Sequence, residues 1–386
     1  MTDRLSRRQL LTRASAIGCS LAASPLLTRM TFAQAPWDTR LVVIILRGGM
    51  DGLDVVRPMG DPAYAALRPG LRTDGAMDLD GYFALHPALA GLMPLWRQQE
   101  LSFVHAVSTP YRDKRSHFDG QDLLEAGTAE LGDGTRDGWL NRLLQQIPGA
   151  GRDTAYAIGT TPLPVLEGAA PVSNWAPEAN LKISPQAMRL AALVMEEDPA
   201  LHRALAEAEM LAETGMNEKG GRAHHQIARY AAGRLRGDAR IAAFSLGGWD
   251  THRAQSRVLP RSLATLQDSI LTLKDGLGAD IWGKTAILAM TEFGRTAREN
   301  GAGGTDHGTG GLAILAGGAI RGGQVSTRWP GLEEADLYER RDLMPTGDVR
   351  ATAAWMLRGI TGVNGNILEN SVFPGLDMGS DPGLLA

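Results

Sequence analysis

The sequence is nearly without cysteine. Its single one, Cys19, rules out any intrachain disulfide in a chain of 386 residues. Positive charge is not in excess: 39 Lys and Arg stand against 43 Asp and Glu, for a formal charge of -4. That balance leaves no electrostatic footprint for nucleic acid, and none is expected as a partner. No apolar run is long enough for a permanent membrane anchor, no fixed-period repeat occurs, and aromatic residues make up only 5%. Two nucleotide-binding motifs are also missing. Gly301-Ala302-Gly303-Gly304-Thr305-Asp306 has an acid where a dinucleotide fingerprint requires its third glycine, and there is no G-x-x-x-x-G-K-[ST] loop.

What remains is ordinary for a globular protein, with 44% hydrophobic and 21% charged residues. Glycine is abundant at 47, which suits many tight turns. The N-terminus reads as an address. Arg7-Arg8 precedes a mildly apolar stretch, Ala14–Leu27, and Ala33-Gln34-Ala35 resembles a cleavage site. Residues 1–35 are therefore expected to be a twin-arginine signal peptide, read by that export machinery, with delivery to the periplasm or beyond. Residues 36–386 are expected to form one α/β domain.

Short runs rich in β-branched and apolar residues predict strands at Leu41–Leu46, Leu101–Val107, Ala155–Ile158, Ile241–Leu246, Thr285–Met290 and Leu312–Leu315. Helical spacing of apolar residues marks Trp139–Ile147, Pro185–Glu197, Pro199–Thr214, Arg222–Leu235 and Leu259–Leu277. A further helix opens at His86-Pro87 and runs through Trp96. His202, His224 and His225 lie on such helices and are assigned no chemistry, and His105 reads as a core histidine.

The chemistry gathers at strand ends, where open α/β sheets place their ligands. Asp51 follows the first strand through Arg47-Gly48-Gly49-Met50 and is either a turn residue or a metal ligand or general base. Asp250 and His252 follow another strand. Residues two apart in extended chain point the same way, so the two can converge on one ion, and carboxylate with imidazole suits zinc and similar divalent metals. Glu292 ends the Thr285–Met290 strand, and a glycine-rich loop then delivers Asp306 and His307. Ser116, with Asp119 three residues on, forms a capping box. The same position lies in the positive end of a helix dipole, where a serine can act as a nucleophile. Arg115, His117, Arg295 and Asp306 are candidates for contacting substrate or supporting the ligands. Two such clusters are what a two-metal clamp on an in-line displacement requires.

The stretches Ser6–Leu11, Leu46–Leu53, Ser116–Gln121, Gly247–His252, Thr291–Thr296 and Gly304–Gly311 together resemble the secreted family of domain of unknown function 1501, in the alkaline-phosphatase-like superfamily. The resemblance implies a three-layer α/β sandwich with a mostly parallel central sheet flanked by helices. It also implies a metal-dependent hydrolase of phosphate or sulfate esters, or a phosphomutase, acting on an anionic small-molecule or polymer ester. By position, Asp51 and Glu292 would bind one divalent metal (zinc, manganese or calcium) bridged by a nucleophilic Ser116. Asp250, His252 and His307 would bind the other. Phosphatase-type members have Asp-His where this chain has Glu292-Phe293, and the C/S-x-P-x-R context of formylglycine sulfatases is absent. Phe293 is the best support for an alternative, a non-catalytic secreted binding protein that keeps the fold.

Overall fold

The computed structural model describes residues 36–71, 74–112, 115–130, 132, 137–177 and 223–386. The expected signal segment 1–35 and the expected helices Pro185–Glu197 and Pro199–Thr214, with His202, lie outside the described residues.

The most apolar run of the described chain makes the central strand. β1 (Arg40–Leu46) is buried along its whole length. Side chains alternate across a strand, so Val42, Ile44 and Leu46 enter one core while Leu41, Val43 and Ile45 enter another. The remaining strands follow in chain order: β2 (Val56–Arg57), β3 (Met77–Asp78), β4 (Ala84–Leu85), β5 (Leu101–Ser108), β6 (Ala155–Ile158), β7 (Ser173–Trp175), β8 (Ile241–Leu246), β9 (Thr285–Met290), β10 (Gly311–Ala316), β11 (Val325–Ser326) and β12 (Gly347–Asp348). The main sheet runs β11-β5-β10-β9-β1-β8-β6-β7, with β12 also on β5. All of its pairings are parallel except those of β10 with β5 and β9. β2, β4 and β3 form a small antiparallel sheet.

Helices cover both faces. α1 (His117–Ala126), α2 (Trp139–Gln145), α3 (Ala223–Leu235), α4 (Gln255–Trp282) and α5 (Val349–Thr361) are the longer ones. On one face, α3 packs Ile227, Ala228 and Ala231, and α4 packs Leu259, Leu263, Leu266 and Ile270, against Val42, Ile44 and Phe244. On the other, Leu140 and Leu143 of α2 and Ala353, Met356 and Leu357 of α5 cover Leu41, Val43 and Leu288. The chain thus has the expected mixed α/β fold, a mostly parallel sheet between helical layers. The helix expected from His86 is a 3-10 turn, Pro87–Leu92, running into a short helix, Met93–Arg97. His105 is buried, with Nε2 at 3.0 Å from the Val56 carbonyl, as a core histidine should be.

Charge is buried beneath the rim of the sheet. Asp51 is fully enclosed, and its carboxylate accepts from Arg68 at 2.6 and 3.1 Å and from Gln255 Nε2 at 2.6 Å. Burial works against the charged carboxyl. The charge and hydrogen bonds of Arg68, with Gln255, outweigh it and hold Asp51 below the ordinary aspartate range. Because the folded value is depressed, this pair stabilises the fold above the unfolded pKa, and the contribution is lost as pH falls through the folded one. Removing one partner of a buried pair strands the other. Asp51→Asn is therefore expected to cost about 3–5 kcal/mol in denaturant unfolding near neutral pH. The deficit should shrink in acid, where the wild-type carboxyl is protonated as well.

Candidate metal centre

The strand order explains why distant residues meet. β1, β5, β8 and β9 run one way and β10 the other. The C-terminal ends of the first four and the start of β10 therefore fall along one rim. His117 opens α1 after β5, Asp250 and His252 follow β8, Glu292 follows β9, and His307 precedes β10.

Asp250 Oδ1 is the hub. It lies 3.4 Å from His117 Nε2, 3.1 Å from His252 Nε2 and 3.4 Å from His307 Nε2. His252 Nε2 and His307 Nε2 are 2.9 Å apart. Among the described residues, His117, Asp250 and His307 each offer a donor atom within 4.8 Å of the others.

The outer nitrogens decide what the inner ones carry. His117 Nδ1 faces Glu292 Oε1 at 2.8 Å, His252 Nδ1 faces Asp306 Oδ1 at 3.2 Å, and His307 Nδ1 faces the Arg115 carbonyl at 2.6 Å. A carbonyl and ionised carboxylates only accept, so a ring that donates from Nδ1 to these partners while neutral turns an Nε2 lone pair inward. In that tautomer three lone pairs confront a carboxylate oxygen, a repulsion that a bound metal ion or protons on the inner nitrogens relieve. The ligand-to-ligand separation of a tetrahedral zinc with bonds near 2.0–2.1 Å is about 3.3 Å, close to the observed spacings. The buried His117 Nε2 has no hydrogen-bond partner, as a nitrogen reserved for a metal would. Ligating imidazoles that donate their other N–H to a carboxylate or carbonyl are the usual outer support of such sites.

That support is itself anchored. Glu292 is buried, and its Oε1 also accepts from the Gly48 N–H at 2.8 Å and Gln121 Nε2 at 3.2 Å. Burial opposes its charged form, but the hydrogen bonds from His117, Gln121 and Gly48 keep it ionised, below the ordinary glutamate value. The hydrogen bond to Glu292 in turn raises the pKa of His117, whereas burial lowers that of His307. Asp250 is held near 2, because the Arg295 hydrogen bond and charge outweigh its partial burial. Arg295 itself is buried. It donates to Asp250 Oδ1 at 2.7 Å, to the Gly49, Thr305 and Trp249 carbonyls at 2.6, 3.1 and 3.1 Å, and to the Gly48 carbonyl. Glycines permit the backbone contacts. A Cβ on Gly304 would stand 2.4 Å from the Thr251 carbonyl oxygen and from the His252 carbonyl carbon, and Gly48, with φ +124°, lies against the Asp250 N–H.

The structure thus brings Asp250, His252 and His307 together and adds His117, which the sequence suggested only as a substrate contact or support. Glu292 stands behind His117, and Asp306 behind His252. Asp51 is placed elsewhere, locked between Arg68 and Gln255. Ser116 is the N-cap of α1, its Oγ accepting from the Asp119 N–H at 3.5 Å. The capping box is not completed by Asp119. The Ser116 N–H donates instead to the Tyr111 hydroxyl, which also reaches Asp119. Arg115 has its guanidinium on Glu339 and Asp342, at 2.8 and 3.2 Å, so its contribution to the site is its carbonyl, set by a left-handed φ of 50°. Phe293 is buried and forms a wall, with its ring 5.1 Å from that of His117 and 4.9 Å from that of His307. A histidine at the first position of the helix that follows the loop after β5 was the sequence signal for His117.

The family described as "Protein of unknown function (DUF1501)" matches residues 97–355. No curated protein sequence matches the chain. Among solved structures, a protein in the alkaline phosphatase superfamily from Vibrio parahaemolyticus aligns at 12% identity and TM-score 0.37, over 84% of this chain and 72% of that one. The lipoteichoic acid synthase LtaP from Listeria monocytogenes aligns at 9% identity and TM-score 0.41, over 89% and 76%. A mutant TAB5 alkaline phosphatase with magnesium bound aligns at 11% identity and TM-score 0.34, over 73% and 91%.

If Glu292 orients His117 for a metal, Glu292→Gln is expected to weaken zinc binding about 10–100-fold. Competition with a chromophoric chelator measures this. Unchanged affinity in a folded variant would remove Glu292 from that role.

Proposed function

We propose that this chain, which belongs to the DUF1501 family, is a metal-dependent hydrolase of anionic esters, exported by the twin-arginine route. The observation that carries the reading is the convergence of three imidazole Nε2 atoms on Asp250 Oδ1, each ring fixed by an acceptor at its Nδ1. Three nitrogens and one oxygen suit zinc or a similar borderline cation better than calcium, which prefers all-oxygen shells. A divalent cation held there would polarise an ester oxygen and offset the negative charge that develops on it during displacement.

The chain's own residues supply the rest. His117, Asp250, His252 and His307 hold the cation. Glu292, Asp306 and the Arg115 carbonyl keep the rings turned inward. The side chains of Asp250 and His252 are 48% and 39% exposed, so the centre opens to solvent on that side and a substrate can reach it. α1 begins at the centre, and the positive end of its dipole favours an anionic group there. A groove of about 700 Å³ adjoins His252 through Asp306 and Asn300; its lining mixes Arg298, Arg340 and Arg341 with Glu299, Glu333 and Glu334, which gives polar contacts of both signs to a substrate extending beyond the scissile group. The Ser116 hydroxyl accepts the Asp119 N–H as the helix cap, and water is the proposed nucleophile.

Phe293, the residue that favoured a non-catalytic binding protein, is packed against two ligand rings instead of leaving a gap. Export rests on the twin arginine at Arg7-Arg8 and the Ala33–Ala35 site. Among the described residues no helix is long and apolar enough to cross a membrane.

Asp250→Ala and His307→Ala are expected to lose zinc at this centre and to lower turnover of aryl phosphate or sulfate esters by at least ~10³-fold, since metal catalysis supplies several kcal/mol. Elemental analysis and a substrate panel test this, and zinc content unaltered by either substitution overturns the reading. Ser116→Ala is expected to cost about 1 kcal/mol of stability as a lost cap while turnover persists. Its abolition would make Ser116 the nucleophile.

A further inference from the structure

A second group of metal-ligating side chains lies away from the rim, where the two long helices of one outer layer pack together. His224 and His225 stand in the first turn of α3, and Asp268 and Thr272 lie one turn apart on α4. One donor atom from each of His224, His225 and Asp268 falls within 4.8 Å of the other two. We infer that His224, His225 and Asp268 form a second divalent-metal site, a structural one that ties α3 to α4.

Three features carry the inference. First, Asp268 Oδ2 is almost equidistant from the two imidazoles, 3.7 Å from His224 Nε2 and 3.8 Å from His225 Nε2. Both separations exceed the hydrogen-bond range for N–H···O. They are near the spacing of two ligands sharing one cation, which is about 3.3 Å for a tetrahedral zinc and relaxes as bonds lengthen. Second, the Thr272 hydroxyl lies 3.0 Å from His225 Nδ1. With that hydroxyl accepting, the ring carries its proton on Nδ1 and presents the Nε2 lone pair to the same point as Asp268. This is the outer support that ligating histidines usually have. Third, the surroundings allow an ion to enter and stay. His224 is buried, while His225 and Asp268 are about 30% exposed at the side chain, so a fourth position can be taken by water. The two imidazole rings lie 4.3 Å apart, tilted by 34°.

Two imidazoles and one carboxylate favour zinc or another borderline divalent cation over calcium or magnesium. The role is structural because the site joins neighbouring helices, whose buried leucines and alanines already pack on the sheet. A cation bound only in the folded state adds stability by mass action.

The test is stoichiometry, which needs no activity. The full chain is stripped with a chelator, reloaded with zinc, desalted and analysed for metal per chain. The wild type is expected to hold two zinc ions. His225→Ala, a half-exposed helix position, and the isosteric Asp268→Asn are each expected to hold one. His307→Ala should also hold one, and His307→Ala with His225→Ala none. Zinc should still raise the melting temperature of His307→Ala and fail to raise that of the double variant. Zinc content unchanged in both His225→Ala and Asp268→Asn overturns the second site whatever happens at the first. Zinc content unchanged in His307→Ala overturns the rim centre and leaves this one standing.

Discussion

A buried guanidinium cannot be left short of partners, because a charge out of water is costly unless paired and hydrogen-bonded. Arg295 meets that demand by drawing on three separate loops: the Gly48 and Gly49 carbonyls after β1, Trp249 and Asp250 after β8, and Thr305 before β10. The loops that carry Asp250, His252 and His307 are thus cross-linked, with the loop after β1, by one side chain. The same guanidinium donates to Asp250 Oδ1, the atom on which the three imidazoles converge. Its position settles both where the loops go and what charge the centre starts from. With Asp250 held ionised, the pocket presents one negative oxygen to three imidazole nitrogens.

The ligand rings depend on a further layer. Glu292, Asp306 and the Arg115 carbonyl each face an Nδ1, and each is held in turn. Glu292 is gripped by Gly48 and Gln121, Asp306 by Asn300, and the Arg115 backbone by its left-handed φ. This arrangement explains why a glutamate stands at the end of β9 although it faces no open pocket. It is placed to orient His117, with Phe293 beside it stacked on the same ring at an interplanar angle of 27°. The two residues that looked like a departure from a metal-binding pattern act together on one imidazole.

Much of this was legible before folding. The apolar runs at Leu41–Leu46, Ile241–Leu246 and Thr285–Met290 read as buried strands, and polar residues directly after such strands were expected at a sheet rim. Asp250 and His252, two apart in extended chain, announced their convergence by spacing alone. Asp51 could not be resolved in this way. It follows a strand just as Asp250 does, and only Arg68, seventeen residues on, distinguishes them by claiming both of its oxygens. Ser116 and His117 show the same ambiguity at adjacent positions. A helix start accommodates a cap or a reactive group equally well, and the partner across the pocket decides which is which.

The sequence by itself determined the class of fold, the rim on which chemistry would gather and the kinds of ligand available, because strand burial and side-chain alternation are local properties of the chain. Tertiary structure alone decided which acid binds Arg68 and which faces the histidines, that His117 joins the cluster, and that Glu292 stands behind it. It also brought His224 and His225 up to Asp268 across two helices. These outcomes depend on contacts between residues far apart in the chain, where hydrogen-bond geometry, and not residue type, sets the role.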